Sequence, residues 1–117
     1  MPEVFREVDL AVFPNRCEGG ANLVAMEAFA YGLSCLILQN TGHLDIIKPG
    51  NCFPLTERRP IDGHGISDWG ESSVDEIVGR MDDAYQERAR LDRSAVRESM
   101  LNYSWENTIG LILPLLR

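Results

Sequence analysis

The clearest chemical signal in the chain is a glycine pair directly preceded by an acidic residue, with a second acid further on in the helix that follows. Glu18-Gly19-Gly20-Ala21 lies between an apolar run, Leu10-Ala-Val-Phe-Pro14, and a helix-forming stretch from Leu23 to Tyr31. If the run is a parallel strand, this loop leaves the strand's C-terminal end and opens a helix. Ligands of α/β sheets bind at such junctions. Exposed amides and the helix dipole favour phosphate there, and glycines let a ligand come close to the backbone. The other reading is a tight connection that needs glycine only for turn geometry. The segment is neither a P-loop nor a G-x-G-x-x-G fingerprint, so ATPase and dinucleotide readings find no motif.

Glu27 is the second candidate. With Leu23 at zero on a helical wheel, at ~100° per residue, Glu27 falls near 40°, between Leu23 and Tyr31. Every other residue from Leu23 to Tyr31 is aliphatic, Met or aromatic. A helix apolar all round is a buried one, which predicts a buried carboxylate in need of partners. Vicinal hydroxyls, such as those of a ribose, would serve. The alternatives are an Arg or Lys from a neighbouring element, or a position at the helix edge.

Thr41-Gly42 follows a second apolar run, Cys35 to Leu38, and reads either as a second ligand-facing turn or as an ordinary one. His43 and His64, the only histidines, sit in no Ser-His-Asp or metal spacing and read as loop or capping residues. Cys17, Cys35 and Cys52 are odd in number and contain no C-x-x-C, so neither a disulfide scaffold nor a zinc site is expected. Free, mostly buried thiols are the expectation.

These residues need elements to hold them. Leu10–Pro14 and Cys35–Leu38 read as buried strands, the second continuous enough for a parallel sheet covered on both faces. Between them, Asn22 is a good N-cap and Gly32 the usual left-handed stop. Residues 10–38 thus form a β-loop-α-β unit. Asn40 to His43 is a turn, His43 to Lys48 a short helix ended by Pro49-Gly50, and Asn51 to Leu55 a third strand, with Pro54 at its end or on an edge. Residues 56–72 read as a long loop, functional or disordered. Ser73-Val-Asp-Glu76 is a capping box that opens an amphipathic helix to about residue 90. A second stretch covers about 93–102, and Ser104 caps a last helix rich in Ile and Leu.

The composition is ordinary, 44% hydrophobic and 25% charged over 117 residues, enough for one small domain. A net charge of −7 argues against a nucleic-acid partner. No apolar stretch approaches the ~20 residues of a membrane span. The first nine residues lack the basic and apolar regions of a signal peptide, which predicts a cytoplasmic protein.

Taken together, Phe13-Pro-Asn-Arg-Cys-Glu-Gly-Gly-Ala-Asn-Leu-Val-Ala-Met-Glu-Ala-Phe-Ala-Tyr-Gly32 resembles the signature of retaining glycosyltransferases of family 4, which have the GT-B fold. Those enzymes carry P-S-x-x-E-G-F-G-L-x-x-x-E-A-M-A-x-G, then a strand and a glycine turn. Leu33 to Gly42 looks like that continuation, and Ser104-Trp-Glu106 like the start of the family's final helix. The resemblance is close over residues 4–55 and looser beyond. It departs in one respect: eight residues separate Glu18 from Glu27, where seven are usual. A subset of the family has Glu-Gly-Gly-Thr-Asn-Leu-Val-Ala-Met-Glu, with Ala21 here in place of Thr. The extra residue implies a bulged loop.

The resemblance implies an α/β fold: a partial doubly wound, Rossmann-like parallel sheet of about three strands with flanking helices and a helical C-terminus. Residues 1–117 would be the C-terminal portion of a donor-binding domain, with the acceptor domain and the phosphate-gripping basic residues upstream. The donor would be a UDP-, GDP- or ADP-sugar and the acceptor remains open; neither a cofactor nor a metal is implied. Glu18 takes the role of the acidic residue near the reacting carbon. Gly19, Gly20, Asn22 and Leu23 form the sugar- and diphosphate-facing loop, Glu27 binds the ribose hydroxyls, and Thr41-Gly42 forms a second donor-facing turn. Alternatives are a non-catalytic donor-binding half that works with a separate acceptor-binding chain, and an epimerase or hydrolase of nucleotide sugars. The expected location is cytoplasmic, compatible with peripheral membrane association of a full-length enzyme. Self-association through an exposed sheet edge and the C-terminal helix is also expected.

Overall fold

The computed structural model describes residues 2–61 and 68–116. His64, with Gly63 and Gly65, lies outside the described residues. The architecture is mixed α/β. Three parallel strands, β1 (Leu10–Phe13), β2 (Ser34–Leu38) and β3 (Phe53–Leu55), lie in the order β1-β2-β3. Leu10 pairs with Ser34 and Phe13 with Ile37; Leu36 pairs with Phe53 and Leu38 with Leu55.

All five residues of β2 are buried, as the continuous apolar run predicts for a central strand. Alternation divides them. Cys35 and Ile37 face one core with Ala25, Ala28 and Phe29 of α2 (Leu23–Tyr31), Phe5 of α1 (Pro2–Arg6) and Val96 of α5 (Arg93–Glu98). Leu36 and Leu38 face the other with Leu55, Ala84 and the half-buried Ile77 of α4 (Val74–Glu87). The sheet is thus covered on both faces. Pro54 sits inside β3, on a side of the sheet with no further strand among the described residues, so its missing N–H costs no ladder bond there.

The first β-loop-α-β unit forms where expected. Asn22 caps α2, its Oδ1 accepting from the Ala25 N–H at 3.0 Å. Gly32 ends the helix at φ 89°, with the Leu33 N–H reaching the Ala28 carbonyl at 2.9 Å. A Cβ at position 32 would also stand 2.8 Å from the Arg93 carbonyl, so both backbone angle and the close passage of α5 require glycine.

Five features differ from the sequence reading. The first residues form α1, which was not expected. The loop 56–72 contains an antiparallel pair, β4 (Arg58–Pro60) with β5 (Gly70–Ser72). The second helical stretch stops at Glu98 and is followed by a 3₁₀ turn over Leu101–Tyr103, and α3 is only His43–Ile46. The capping box is also only half formed. Ser73 Oγ accepts from the Glu76 N–H at 3.3 Å, but the Glu76 carboxylate turns away to the amides of Thr56 and Glu57, each at 2.8 Å. Those donors belong to the strand-pair connection, and serving them ties α4 to β3. α6 (Trp105–Ile112) starts at Ser104 as expected. No described helix is long and apolar enough to cross a membrane.

Candidate functional site

Because β1 and β2 are parallel neighbours, the segments that follow them emerge at the same end of the sheet. There the tetrapeptide 40–43 fastens the loop 15–22 at four points. The Asn40 Nδ2 donates to the carbonyls of Asn15 and Arg16 at 3.1 and 2.8 Å. The Glu18 N–H donates to Thr41 Oγ1 at 2.7 Å. The Gly42 N–H donates to the Glu18 carbonyl at 3.3 Å. Asn22 Nδ2 meets His43 Nε2 at 3.0 Å. The predicted Glu18, Gly20, Asn22, Thr41 and Gly42 are thus brought together.

The clasp explains two backbone features. Thr41 adopts φ 39°, a turn conformation uncommon for a β-branched residue, and this accompanies the bond from its hydroxyl to Glu18. A Cβ on Gly42 would lie 1.7 Å from the Gly20 carbonyl oxygen, so only glycine allows the two loops to touch. Gly19 and Gly20 are different. Neither has a positive φ, and a Cβ at either would meet nothing within 4 Å. Turn geometry and packing do not demand glycine there; what glycine leaves is open space beside the backbone.

Glu18 is half-buried, and its carboxylate makes no hydrogen bond or ion pair among the described residues. The amides of Leu23 and Val24, in the first turn of α2, likewise find no acceptor among them.

The expected burial of Glu27 is not observed. Its side chain is exposed, on a strip of α2 with Leu23 (70% exposed), Val24 (41%) and Ala30. The helix packs through the buried Ala25, Ala28 and Phe29, with Met26 and Tyr31 half-buried at the edge of the same core. Glu27 stands one turn beyond Leu23, about 6 Å along the axis, on a surface continuous with the open side of the helix's N-terminus.

Sequence reasoning missed Asn40 and underread His43. Asn40 is 1% exposed, and its Oδ1 has no partner. His43 is fully buried, with Nδ1 2.8 Å from the Leu38 carbonyl. Both reach across more than twenty residues, and no local spacing signals that. The β4–β5 pair flanks the same loop: the Gly70 N–H donates to the Arg16 carbonyl at 3.0 Å, and Ser72 Oγ donates to that of Pro14 at 3.3 Å. Exposed Arg16 pairs with Glu71 at 3.1 Å.

Two clefts lie elsewhere. One, of about 690 Å³, is formed by β4, β5 and the start of α4. The other, of about 670 Å³, is lined by Leu10, Ser34, Met81 and Tyr85, at the N-terminal ends of β1 and β2. Neither contains a clasp residue. In a parallel sheet the C-terminal end is where ligands bind, and the residue chemistry, not cleft volume, places the candidate site there. No group of three or more His, Cys, Asp or Glu among the described residues could hold a metal. Cys35 is buried, and desolvation, with Cys52 nearby, pushes its thiol far up; burial raises Cys52 to about 11. Raised thiols of this kind, one in the core and one half-buried against it, are poor candidates for nucleophiles. In comparisons with known proteins, no family model, curated protein or solved structure matches the chain.

Proposed function

We propose that this chain is the nucleotide-sugar-binding part of a cytoplasmic retaining glycosyltransferase of family 4, on a Rossmann-like half of a doubly wound GT-B domain. The observation that carries the reading is the clasp: two loops fastened together at the C-terminal ends of adjacent parallel strands, beside glycines that nothing in the fold requires. A donor diphosphate sits against the open backbone of Gly19-Gly20 and the free amides of Leu23 and Val24. As the bond to the sugar breaks, charge builds on that diphosphate, and the fixed amide dipoles stabilise it without reorganising. The unpaired Glu18 carboxylate meets the sugar, and Glu27, on the exposed strip beyond Leu23, takes the ribose hydroxyls.

Titration of the chain with UDP, GDP and ADP, followed by backbone amide shifts, tests this. One of the three should move Gly19, Gly20, Leu23 and Val24. Glu27→Gln should then weaken that affinity by about 1–3 kcal/mol, the worth of charged hydrogen bonds. Amides at these positions that respond to none of the three refute the reading. A second reading, a donor-binding half that works with a separate acceptor-binding chain, is favoured by the unpartnered apolar surface of α6.

A further inference from the structure

Three of the clasp's four fastenings use backbone groups of the loop. The fourth joins two side chains, and its chemistry is fully specified. A carbonyl only accepts, so the His43 Nδ1 facing Leu38 carries the proton. Asn22 Oδ1 already accepts from the Ala25 N–H, which fixes the amide's orientation and makes Nδ2 the donor towards His43. Nε2 therefore accepts, and the ring is the neutral Nδ1–H tautomer with both nitrogens engaged. Asn22 in turn has two jobs: one end caps α2, the other is held by a ring seated on the last residue of β2.

We propose that His43 is a positioning residue: through Asn22 it holds the first turn of α2 in register with the Thr41–Gly42 turn. The direction of the free Leu23 and Val24 amides relative to Glu18 then depends on a buried imidazole that itself touches no ligand. Its significance for donor binding rests on the nucleotide-sugar reading above; the register itself does not. A histidine that merely fills the core would act on the whole fold equally. A positioning histidine acts on the loop and spares the strands.

Amide hydrogen exchange on the chain separates the two, with UDP, GDP and ADP as probes of the site. His43→Phe keeps a ring and removes both hydrogen bonds. Asn22→Ser keeps a capping oxygen but is too short to reach His43, and it covers the case in which the Phe variant does not fold. Exchange at Glu18 and Gly42 should accelerate by roughly tenfold in either variant, as expected for one lost hydrogen bond, while Leu36 and Ile37 follow only the global stability. The nitrogen spectrum of the wild type should show Nε2 unprotonated. Strand amides accelerating as much as loop amides, or a proton on Nε2, overturn the proposal. The donor reading fails separately, through a wild type whose loop amides respond to none of the nucleotides. If the wild type binds one of them and Asn22→Ser binds it equally well despite a loosened loop, the register exists but does not position the donor, and the claim for the site is lost.

Discussion

α2 and α6 are both short helices opened by a capping side chain, and they have opposite fates. α2 is apolar nearly all round, with Glu27 its one charge, whereas α6 sets Trp105, Ile109, Leu111 and Ile112 among Glu106, Asn107, Thr108 and Gly110. α2 buries Ala25, Ala28 and Phe29 against β2, and its cap is wired through His43 to the end of that strand. α6 has no buried residue, and its Ser104 cap accepts only from its own Asn107 amide. Trp105 and Leu111 are 80% and 75% exposed, and Leu115, in the 3₁₀ turn Leu113–Leu116 that continues the helix, is 81% exposed. The difference shows that apolarity marks surface that seeks cover without saying what covers it. α2 lies between strands that pair and is therefore forced onto the sheet, whereas α6 follows the 3₁₀ turn at Leu101–Tyr103, touches that turn, and among the described residues is buried by no strand or longer helix.

The sharpest way to test that contrast is to remove the residue that commits α2 to the sheet. Phe29 is fully buried, so Phe29→Ala should cost about 3–5 kcal/mol by urea denaturation, transfer plus cavity. A cost under 1 kcal/mol would mean that α2 is no better seated than α6.

Next in size is the clasp. Gly42→Ala forces a Cβ onto the Gly20 carbonyl, which is backbone and cannot swing aside. The cost should be about 1–3 kcal/mol, with amide shifts concentrated at residues 18–22 and 41–43. An unperturbed loop would show that the two turns are not in contact in solution.

How much of this was legible in the sequence follows from range. Both ends of α2 are written locally, in Asn22 and Gly32, and β2 in its unbroken apolar run, so these stand where expected. The burial expected of Glu27 fails because a helical wheel reports the character of a face, not whether anything lies upon it, and the helix-edge position is the one observed. β4 and β5 have no alternation to betray them, since Arg58-Arg59-Pro60 and Gly70-Glu71-Ser72 are polar or small. β5 is held instead by bonds to Pro14 and Arg16, far away in sequence, and β4 pairs with β5. The glycines and Glu18 were found as candidates, but the residues that fasten them, Asn40 and His43, act across the fold and resemble ordinary turn residues.

The core beneath α2 also predicts an alkaline limit. Burial raises the Cys35 thiol strongly, and Cys52 from an ordinary 9.0 to about 11. Between those values the unfolded chain loses thiol protons that the folded chain keeps. Stability is therefore whole below about pH 9 and falls as pH rises towards 11. Cys35→Ala should flatten this slope, measured by denaturation at several pH values, because it removes the more strongly raised thiol. A slope unchanged in that variant would assign it to other groups.

The smallest effect on stability should come from α6 and the 3₁₀ turn Leu113–Leu116 that follows it, and it should be accompanied by a large effect on association. Leu111 and Leu115 make few packing contacts to lose, so replacing both with Ser should change the unfolding free energy of the monomer by no more than about 0.5 kcal/mol each. The same two residues belong to an exposed surface with Trp105, Ile109, Ile112 and Leu116. Contiguous apolar surface of this kind marks association. β1 adds a second adhesive feature, an edge with no partner strand on its outer side among the described residues. Light scattering on the wild type should therefore give an apparent mass that rises with concentration, and the double Ser variant should lower it. If both the wild type and the variant are monomers across the range, the exposed helix is not adhesive. If the variant instead loses several kcal/mol of stability, α6 packs in solution as α2 does, and the contrast between them disappears.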